Sequence, residues 1–487
     1  MKKYRVTAAA AVLLMTASLA GCGEQGVKKY DKLLDKDSPV VITIWHYYNG
    51  VQQTQFDEMV NEFNSTVGID DGIIVEAFSK NSVNGLSDAV LASADNDPGS
   101  EELPNIFGTY AETAYVMDNM GLLADMSKYF TEEELGEYVD EYITEGRMGS
   151  ADQLKIFPVA KSTEVMMINA TDWDKFAASE NIIYDNMKTW EGLADTAEKY
   201  YNYTDALTPD VENDGKALFG RDSLANYLIV GAKQLGGEFA AADENGNVTV
   251  SADKEAVRRL WDNFYVPFVK GYFAAENRYR SDDMKTGSII AMVCSNSAST
   301  YCPTEVTVSD DESYPIDINV LPVPNFEGCD PYVVQQGAGM SVIKSDEKTE
   351  YACAKFMKWF TEEDRNIDFA VSSGYLPVKK SANDITKISA HEEGMKDYMK
   401  QTFETAIGEI NGSTLYTSPP YENSADMRSY IQDAMSEKAV AAHEEAYGRI
   451  EAGEDRDTVL EEYTNDAAFE DWYNDFKSGF DQIIGNG

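Results

Sequence analysis

The chain has 487 residues, of which 43% are apolar and 11% aromatic. It is therefore long and apolar enough to bury more than one hydrophobic core, and we expect two lobes or more. Its 85 acidic residues outnumber 40 basic ones, which gives a formal net charge of −45. Because binding to a phosphate backbone needs clustered Lys and Arg, this charge argues against nucleic acid as a partner.

The first residues carry a targeting signal. Basic residues precede an apolar run from Val6 to Leu19, which ends in Leu-Ala-Gly-Cys at Cys22. This pattern predicts a signal peptide over residues 1–21 and lipid attachment at Cys22, with fatty acyl groups such as palmitate. The polar residues 22–38 are typical of a flexible tether. The prediction is a protein on the outer face of the cytoplasmic membrane that contacts lipid through its anchor only; the alternative is an ordinary signal peptide followed by a chance cysteine.

The remaining cysteines are Cys294, Cys302, Cys329 and Cys353. Outside the membrane they form either disulfides or buried thiols, and the sequence leaves both open. No spacing is C-x-x-C, so zinc and thioredoxin-type motifs have no support. The turn at 243–247 has a weak likeness to a calcium loop but lacks the downstream ligands. We predict no metal and no cofactor.

Strands and helices alternate at the start of the folded region. β-Branched or apolar runs at 40–45, 73–78 and 103–108 predict strands, and apolar residues at helical spacing predict a helix after each of the first two. This order is typical of an α/β fold with a parallel sheet, in which ligands bind beyond the carboxyl ends of the strands. Those ends are followed here by His46-Tyr47-Tyr48 and Thr109-Tyr110.

Later segments suggest a second lobe and returns to the first. Residues 156–169 form a long extended segment that suits a crossing between lobes, and 288–293 predict a strand ending in the small polar residues 294–299. A glycine-containing strand at 337–343 and a helix at 351–360 suggest a return to the first lobe.

Several segments together resemble the family 1 extracellular solute-binding proteins, which include maltose- and glycerol-3-phosphate-binding proteins. They are, in order, VVITIWHYYNGVQQTQFDEMVNEFN, LPNIFGTYAETAYVMDNMGLLADM, FPVAKSTEVMMIN, MKTGSIIAMVCSNSAS and SGYLPVKKSA. The resemblance spans roughly residues 38–440 and departs from the family pattern in the acidic tract from Lys438 to Gly487.

This resemblance implies a type II periplasmic-binding-protein-like α/β fold, with two α/β lobes joined by a hinge. The expected lobes are 39–159 plus 340–370 and 160–339 plus 371–487. It further implies a monomeric binding protein that captures a sugar, oligosaccharide or polyol phosphate by hinge closure and delivers it to the permease subunits of an ABC transporter.

Aromatic rings that stack on sugars and small polar groups that fix hydroxyls define the candidate ligand-binding residues. They are Trp45, Tyr47, Tyr48, Tyr110, Ser162, Thr163, Glu164, Asn226, Tyr227, Ser295, Asn296, Ser297, Gly337, Gly374 and Tyr375. For each, packing, turn formation or hinge hydrogen bonding is the alternative role. Tyr110 is the strongest candidate, because Gly108 permits close approach beside it.

Two other functions stay open. No G-x-S-x-G, P-loop or H-E-x-x-H motif occurs, so we predict no enzyme. A glycan-acting hydrolase needs only two carboxylates, however, and 85 acidic residues leave that possibility open. A binding protein that serves a membrane sensor instead of an importer has the same sequence features.

Overall fold

The computed structural model describes residues 29–149, 152–242, 248–309, 311–392 and 394–485. The predicted signal peptide, Cys22 and the turn at 243–247 lie outside these residues. The strands are β1 Val40–His46, β2 Ile73–Ser79, β3 Ile106–Thr109, β4 Arg147–Met148, β5 Gln153–Leu154, β6 Glu164–Asn169, β7 Phe219–Arg221, β8 Ala240–Ala242, β9 Val248–Val250, β10 Ala291–Ser295, β11 Glu305–Ser309, β12 Glu312–Pro315, β13 Ile318–Leu321, β14 Tyr332–Val334, β15 Gly339–Val342 and β16 Thr414–Tyr416.

The α-helices are Gly50–Ser65, Val67–Asp71, Val83–Ala94, Ala111–Asn119, Glu132–Leu135, Asp140–Glu145, Ala170–Glu180, Trp190–Asp205, Leu224–Gln234, Lys254–Val269, Arg280–Thr286, Glu347–Phe360, Glu363–Ser373, Ile385–His391, Asp397–Gly412, Ser424–Glu451, Arg456–Thr464 and Asp466–Gly485. None of the helices in the described ranges is both long and apolar enough to cross a membrane.

The chain divides into two compact units. The first comprises the chain up to Lys161 and Gly337–His391, and the second comprises Ser162–Gln336 and the chain from Glu392 onward. Residues 371–391 thus belong to the first unit, whereas the sequence analysis assigned them to the second lobe. The reason is backbone pairing: the Leu376 N–H donates to the Lys161 carbonyl at 2.6 Å.

The first unit is built on a four-stranded sheet in the order β15-β3-β1-β2. β1 is parallel to β2 and β3, as predicted, and β15 is antiparallel to β3. The predicted apolar stripe on helix Gly50–Ser65 is confirmed, since its four members are all buried: Phe56, Met59, Val60 and Phe63. The parallel pairing brings the segments that follow β1 and β3 to one edge of the sheet.

The described part of the predicted tether, residues 29–38, is partly folded onto the first unit. Residues Tyr30–Leu33 form a 3-10 helix. The buried Tyr30 ring packs on Tyr129, with ring centroids 4.9 Å apart, and on Tyr351 at 5.5 Å. A free tether therefore does not extend over the whole of residues 22–38.

The second unit has a sheet in the order β13-β6-β10-β7. β6 is buried along its whole length and is antiparallel to both neighbours, while β7 is parallel to β10. Of the long extended segment predicted at 156–169, only Glu164–Asn169 is strand in this sheet.

The acidic C-terminal tract is part of the core of the second unit. Within this tract, helix Ser424–Glu451 buries Ala439, Ala446 and Ile450, and the last helix contributes Phe476 and Phe480 to the same core. Its acidic composition therefore reflects the solvent-facing side of packed helices.

The four described cysteines are free. Cys294, Cys302 and Cys353 are buried, and Cys329 is half-buried. Burial raises the pKa of the Cys302 thiol to about 12. The sequence left disulfides and buried thiols open for these four cysteines, and in the structure they are thiols.

Candidate functional site

Four tyrosines gather where the strands of the first unit end; we call Tyr47, Tyr48, Tyr110 and Tyr375 the tyrosine cluster. The Tyr47 and Tyr48 rings lie 4.9 Å apart, and the hydroxyl oxygens of Tyr47 and Tyr375 are 3.4 Å apart. Tyr110 is the residue just before helix Ala111–Asn119. It is half-buried, whereas the other three are buried, so Tyr110 offers the most accessible ring.

The local sequence explains this gathering. Tyr47 and Tyr48 directly follow β1, Tyr110 directly follows β3, and Gly374 ends helix Glu363–Ser373 with a left-handed φ of 76° just before Tyr375. Gly108 faces the Tyr47 ring, and a Cβ added there would lie 3.6 Å from it. That distance is an ordinary van der Waals contact, so the approach of the two tyrosine-bearing segments does not depend on glycine at this position.

Burial dominates the electrostatics of the cluster. It raises the pKa values of Tyr47 and Tyr48 well above the usual value, and the neighbouring Tyr375 and Tyr110 raise them further. The cluster is therefore neutral and aromatic, with hydroxyl groups at its edges, which is a surface suited to sugar rings.

Trp45 is close to the tyrosine cluster in sequence, but its side chain is buried and its ring contacts Lys80. It is 3% exposed. The Lys80 ammonium lies 3.8 Å from its ring centroid and also pairs with Glu101 at 2.6 Å. One face of the indole is thus covered by a cation, so the structure favours a packing role for Trp45.

The second unit contains a buried polar network around Glu164; we call Glu164, Arg221, Asn226, Gln336 and Arg428 the Glu164 network. Arg221 Nη2 donates to both Glu164 carboxylate oxygens, at 2.8 and 2.7 Å. Asn226 Nδ2 donates to Glu164 Oε1 at 2.8 Å and to Gln336 Oε1 at 3.2 Å. Arg428 Nη2 donates to Asn226 Oδ1 at 2.6 Å. These contacts fix the orientation of the Asn226 amide.

A small cavity adjoins this network. It is lined by Thr163, Glu164, Arg221 and Asn226, together with aromatic and apolar side chains. Its volume is about 20 Å³, enough for one water-sized group and too small for a sugar ring. Thr163 is fully buried, and its hydroxyl has no hydrogen-bond partner in the structure.

Other candidates in the second unit have structural partners. The Tyr227 hydroxyl donates to the Leu260 carbonyl at 2.9 Å, and its ring packs against Trp190 at 4.7 Å. Asn296 Oδ1 accepts from the Thr163 N–H at 2.8 Å. Ser162 pairs with Gln336 through two backbone hydrogen bonds. Core packing and backbone pairing therefore account for Tyr227, Asn296 and Ser162.

Ser295, the last residue of β10, and Ser297 are half-buried. The Ser295 and Ser297 hydroxyl oxygens are 2.9 Å apart, and Ser295 caps the 3-10 helix Asn296–Tyr301. Gly337 has a left-handed φ of 89°, and its carbonyl accepts from Lys161 Nζ at 2.7 Å. Lys161 also pairs with Glu145, so its charge is neutralised within the first unit.

Arg221 and Arg428 were not among the candidate residues predicted from the sequence. Arg221 had a usable signal, since it is a charged residue two positions after the apolar Leu218-Phe219 and ends a short strand. Arg428 had none, because it is 202 residues from Asn226 along the chain. In the described ranges no group of three or more His, Cys, Asp or Glu side chains is arranged to hold a metal.

The two α/β units and their sheet topologies define the class of protein. The fold is that of type II periplasmic binding proteins, as predicted. Residues 58–397 match the family model described as bacterial extracellular solute-binding protein. The chain belongs to this family.

Solved structures with the same fold are distant in sequence. The cyclic α-maltosyl-1,6-maltose binding protein from Arthrobacter globiformis is 18% identical, with a TM-score of 0.64, covering 92% of this chain and 100% of its own. An ABC substrate-binding protein from Listeria monocytogenes in complex with cycloalternan is 15% identical, with a TM-score of 0.64 and the same coverage.

A third similar structure binds a different kind of molecule. UgpB from Mycobacterium tuberculosis in complex with glycerophosphocholine is 15% identical, with a TM-score of 0.62, covering 85% of this chain and 98% of its own. No curated protein matches the sequence. At these identities the similarity establishes the fold alone.

Proposed function

We propose that this protein is the solute-binding component of an ABC importer and that its solute is a carbohydrate or related polyol. The family supplies the first part of the proposal. Proteins of similar structure bind maltose-based glycans, cycloalternan and glycerophosphocholine, which supports the second. The permease subunits of the importer are the expected partners, and binding proceeds without bond breaking.

The single observation that carries the proposal is the tyrosine cluster. Neutral aromatic rings with hydroxyl edges bind the apolar face and the hydroxyls of a sugar at once. Tyr110 is its half-buried member, so we propose that the Tyr110 ring stacks on the solute. Closure of two lobes on the solute, which the family resemblance implies, stays a prediction that small-angle scattering with and without solute would measure.

Thermal unfolding with a panel of maltotriose, mannotriose and glycerol 3-phosphate tests the proposal. A solute at a hundredfold excess over its Kd stabilises the folded state by about 2.7 kcal/mol, which raises Tm. Tyr110→Ala is expected to abolish this rise, and Tyr110→Phe to retain most of it because the ring remains. Tyr115→Ala, a half-buried tyrosine on helix Ala111–Asn119 outside the cluster, is the matched control and should behave like the unaltered protein.

Three outcomes count against the proposal. No rise in Tm with any sugar or polyol contradicts the solute class. If the Tyr110→Ala protein shows the same rise in Tm with solute as the unaltered protein, Tyr110 is not part of the site. Release of reducing sugar from a glycan panel contradicts binding without catalysis.

We also propose that the mature chain is anchored by acyl groups on Cys22, because the residues before it form a lipobox. Expression in a bacterial host with labelled palmitate should label the protein and partition it into a detergent phase. Cys22→Ala is expected to lose both properties, while Cys329→Ala, which removes a half-buried thiol, should retain them. Label in the Cys22→Ala protein contradicts the anchor.

A further inference from the structure

The second unit contains another cavity, much larger than the one beside the Glu164 network. Its volume is about 330 Å³, compared with about 20 Å³ for the smaller one. Volumes of about 300–1,000 Å³ are typical of sites that hold small molecules. The lining residues come from segments 215–217, 271–276 and 286–288 and from helix Ser424–Glu451, and all of them belong to the second unit.

This cavity and the Glu164 network lie at opposite ends of the strands of one sheet. Segments 215–217 and 286–288 precede β7 and β10, which are parallel to each other. Arg221 is the last residue of β7, and Glu164 pairs with Ser295, the last residue of β10. The cavity is therefore separate from the Glu164 network.

His443 and Tyr447 form an aromatic wall of the cavity. Their ring centroids are 4.3 Å apart, and both residues lie on helix Ser424–Glu451. The Tyr447 hydroxyl donates to the Lys270 carbonyl at 2.8 Å, which fixes the ring. Gly271, another lining residue, has a left-handed φ of 77°, and a Cβ there would collide with the Tyr447 hydroxyl. The shape of this wall therefore depends on glycine at position 271.

The polar groups of the lining are suited to hydroxyls. His443 Nδ1 donates to the Val269 carbonyl at 3.1 Å, and burial lowers the His443 pKa, so Nε2 of the neutral ring is an acceptor. Ser288 Oγ donates to Glu276 Oε2 at 2.6 Å and lies 3.1 Å from Thr286 Oγ1. Imidazole, hydroxyl and carboxylate groups all accept hydrogen bonds, and a ligand rich in hydroxyls supplies the donors.

The lining has no net charge, although the chain is strongly acidic. Its charged members are Lys216 and Glu276, one of each sign, and both are exposed. The whole chain has a formal net charge of −45. One cation and one carboxylate together favour neither an anion nor a cation, so the lining fits a neutral ligand.

We propose that this cavity is a second binding site, which takes a neutral, hydroxyl-rich molecule of about the size of a monosaccharide. The aromatic wall contacts the apolar face of the ring, and the acceptors of the lining receive its hydroxyls. The site includes no member of the tyrosine cluster or of the Glu164 network. The inference therefore goes beyond the proposed function and does not depend on it.

Histidine signals in nuclear magnetic resonance spectra test the inference. The chain has three histidines, and His443 is the one in the second unit, because His46 and His391 lie in the first. The full chain with isotope-labelled histidine is titrated with glucose, galactose and myo-inositol. At least one of these neutral probes is expected to move the His443 signal to saturation. The His443→Gln protein identifies the signal by its loss.

The same titration of the Tyr110→Ala protein separates this site from the tyrosine cluster. The His443 signal should respond there as it does in the unaltered protein, because Tyr110 does not line the cavity. If a folded Tyr110→Ala protein loses the response, the signal reports solute binding in the first unit, and the inference is overturned.

Ala274→Phe should block the cavity, because Ala274 lines it and a phenyl ring would take up part of its volume. The affinity of the neutral probe is expected to fall at least about tenfold, which corresponds to loss of about 1.4 kcal/mol of binding free energy. Ala275→Phe is the matched control, since Ala275 is exposed and is not a lining residue. It should bind like the unaltered protein.

Glu276→Gln removes the carboxylate at an exposed position and is expected to lower the affinity roughly three- to tenfold, the range for one hydrogen bond. The Tm of each variant is measured without ligand, and Glu276→Gln decides the question if Ala274→Phe is unfolded. An affinity that neither variant changes contradicts the site.

Two further outcomes overturn the inference and leave the proposed function standing. One is a His443 signal that none of the three neutral probes moves. The other is equally tight binding of gluconate or glucosamine, which carry one charge each, because the cavity would then not select a neutral ligand. The proposed function is decided separately, by the response of Tm to solute and its loss in the Tyr110→Ala protein.

Discussion

The two units place different chemistry at the ends of their strands. In the first unit the tyrosine cluster has no charged member, and burial keeps its hydroxyls protonated. In the second unit the Glu164 carboxylate accepts directly from the Arg221 guanidinium, and the Asn226 amide links it to the Arg428 guanidinium. The tyrosine cluster stabilises its surroundings by packing, and the Glu164 network does so by charge. Substitutions in the two sets should therefore lower the unfolding free energy for different reasons.

The two sets of side chains differ in the free energy that their burial costs. An aromatic ring gains free energy when it leaves water, and a hydroxyl that keeps a partner adds little cost. Burial of an ion pair costs free energy because both groups lose their water. Removal of one partner then leaves the other charge buried without compensation. The tyrosine cluster should therefore tolerate loss of a single polar atom, and the Glu164 network should not.

Arg221→Ala should produce the largest effect, because it leaves the buried Glu164 carboxylate without its cation. Both side chains are nearly inaccessible, at 1% and 7%. Removal of one partner of such a pair costs about 3–5 kcal/mol of unfolding free energy. Urea unfolding measures this loss as a lower midpoint, with the slope unchanged if the native state keeps its compactness.

The matched control is a solvated ion pair in the same unit. Lys188 pairs with Asp185 at 2.8 Å, with side-chain exposures of 70% and 64%. Lys188→Ala should change the unfolding free energy by less than about 1 kcal/mol. Equal effects in the two variants would mean that burial does not set the strength of the Arg221 contact.

The tyrosine cluster could be predicted from the sequence to a greater extent than the Glu164 network. The first unit's sheet and its tyrosines follow from local patterns: β-branched runs, a helical apolar stripe and aromatic residues placed directly after strands. Tyr47, Tyr48 and Tyr110 could be brought together from topology alone, because parallel strands end at one edge.

The Glu164 network depends on long-range folding instead. Glu164 and Asn226 were candidates for ligand contact, yet their partners Arg221 and Arg428 lie 57 residues from Glu164 and 202 from Asn226. No periodicity in the sequence encodes such pairs. The assignment of residues 371–391 failed for a similar reason, since the pairing of Leu376 with Lys161 joins distant segments.

A second prediction concerns His46, which ends β1 beside the tyrosine cluster. The imidazole is 1% exposed, packs against Phe56 and Tyr48 at 4.8 and 5.3 Å, and has no hydrogen-bond partner in the structure. Burial lowers the His46 pKa from 6.5 to about 4. Between these values the unfolded chain binds a proton that the folded protein does not, so stability falls as pH decreases from about 6.5 to about 4.

The size of this effect is about 3 kcal/mol over that interval. His46→Phe, which keeps an aromatic ring among aromatic neighbours, should remove this contribution while the carboxylates continue to titrate. The measurement is the unfolding free energy from pH 7.5 to 4 for both proteins, compared as a difference. A constant difference across the interval would show that His46 does not titrate as its burial implies.

The smallest expected effect is that of Tyr47→Phe, which removes one hydroxyl from the tyrosine cluster. The Tyr47 oxygen is 3.4 Å from the Tyr375 oxygen, a long contact between neutral groups, and the ring itself is buried. Because the ring and its packing remain, the unfolding free energy should fall by less than about 1 kcal/mol. Tyr47→Ala provides the contrast, since loss of a buried aromatic ring costs about 3–5 kcal/mol. A loss in Tyr47→Phe as large as that in Arg221→Ala would mean that the tyrosine cluster is held by polar contacts as the Glu164 network is, and that the two units do not differ in the way their strand ends are stabilised.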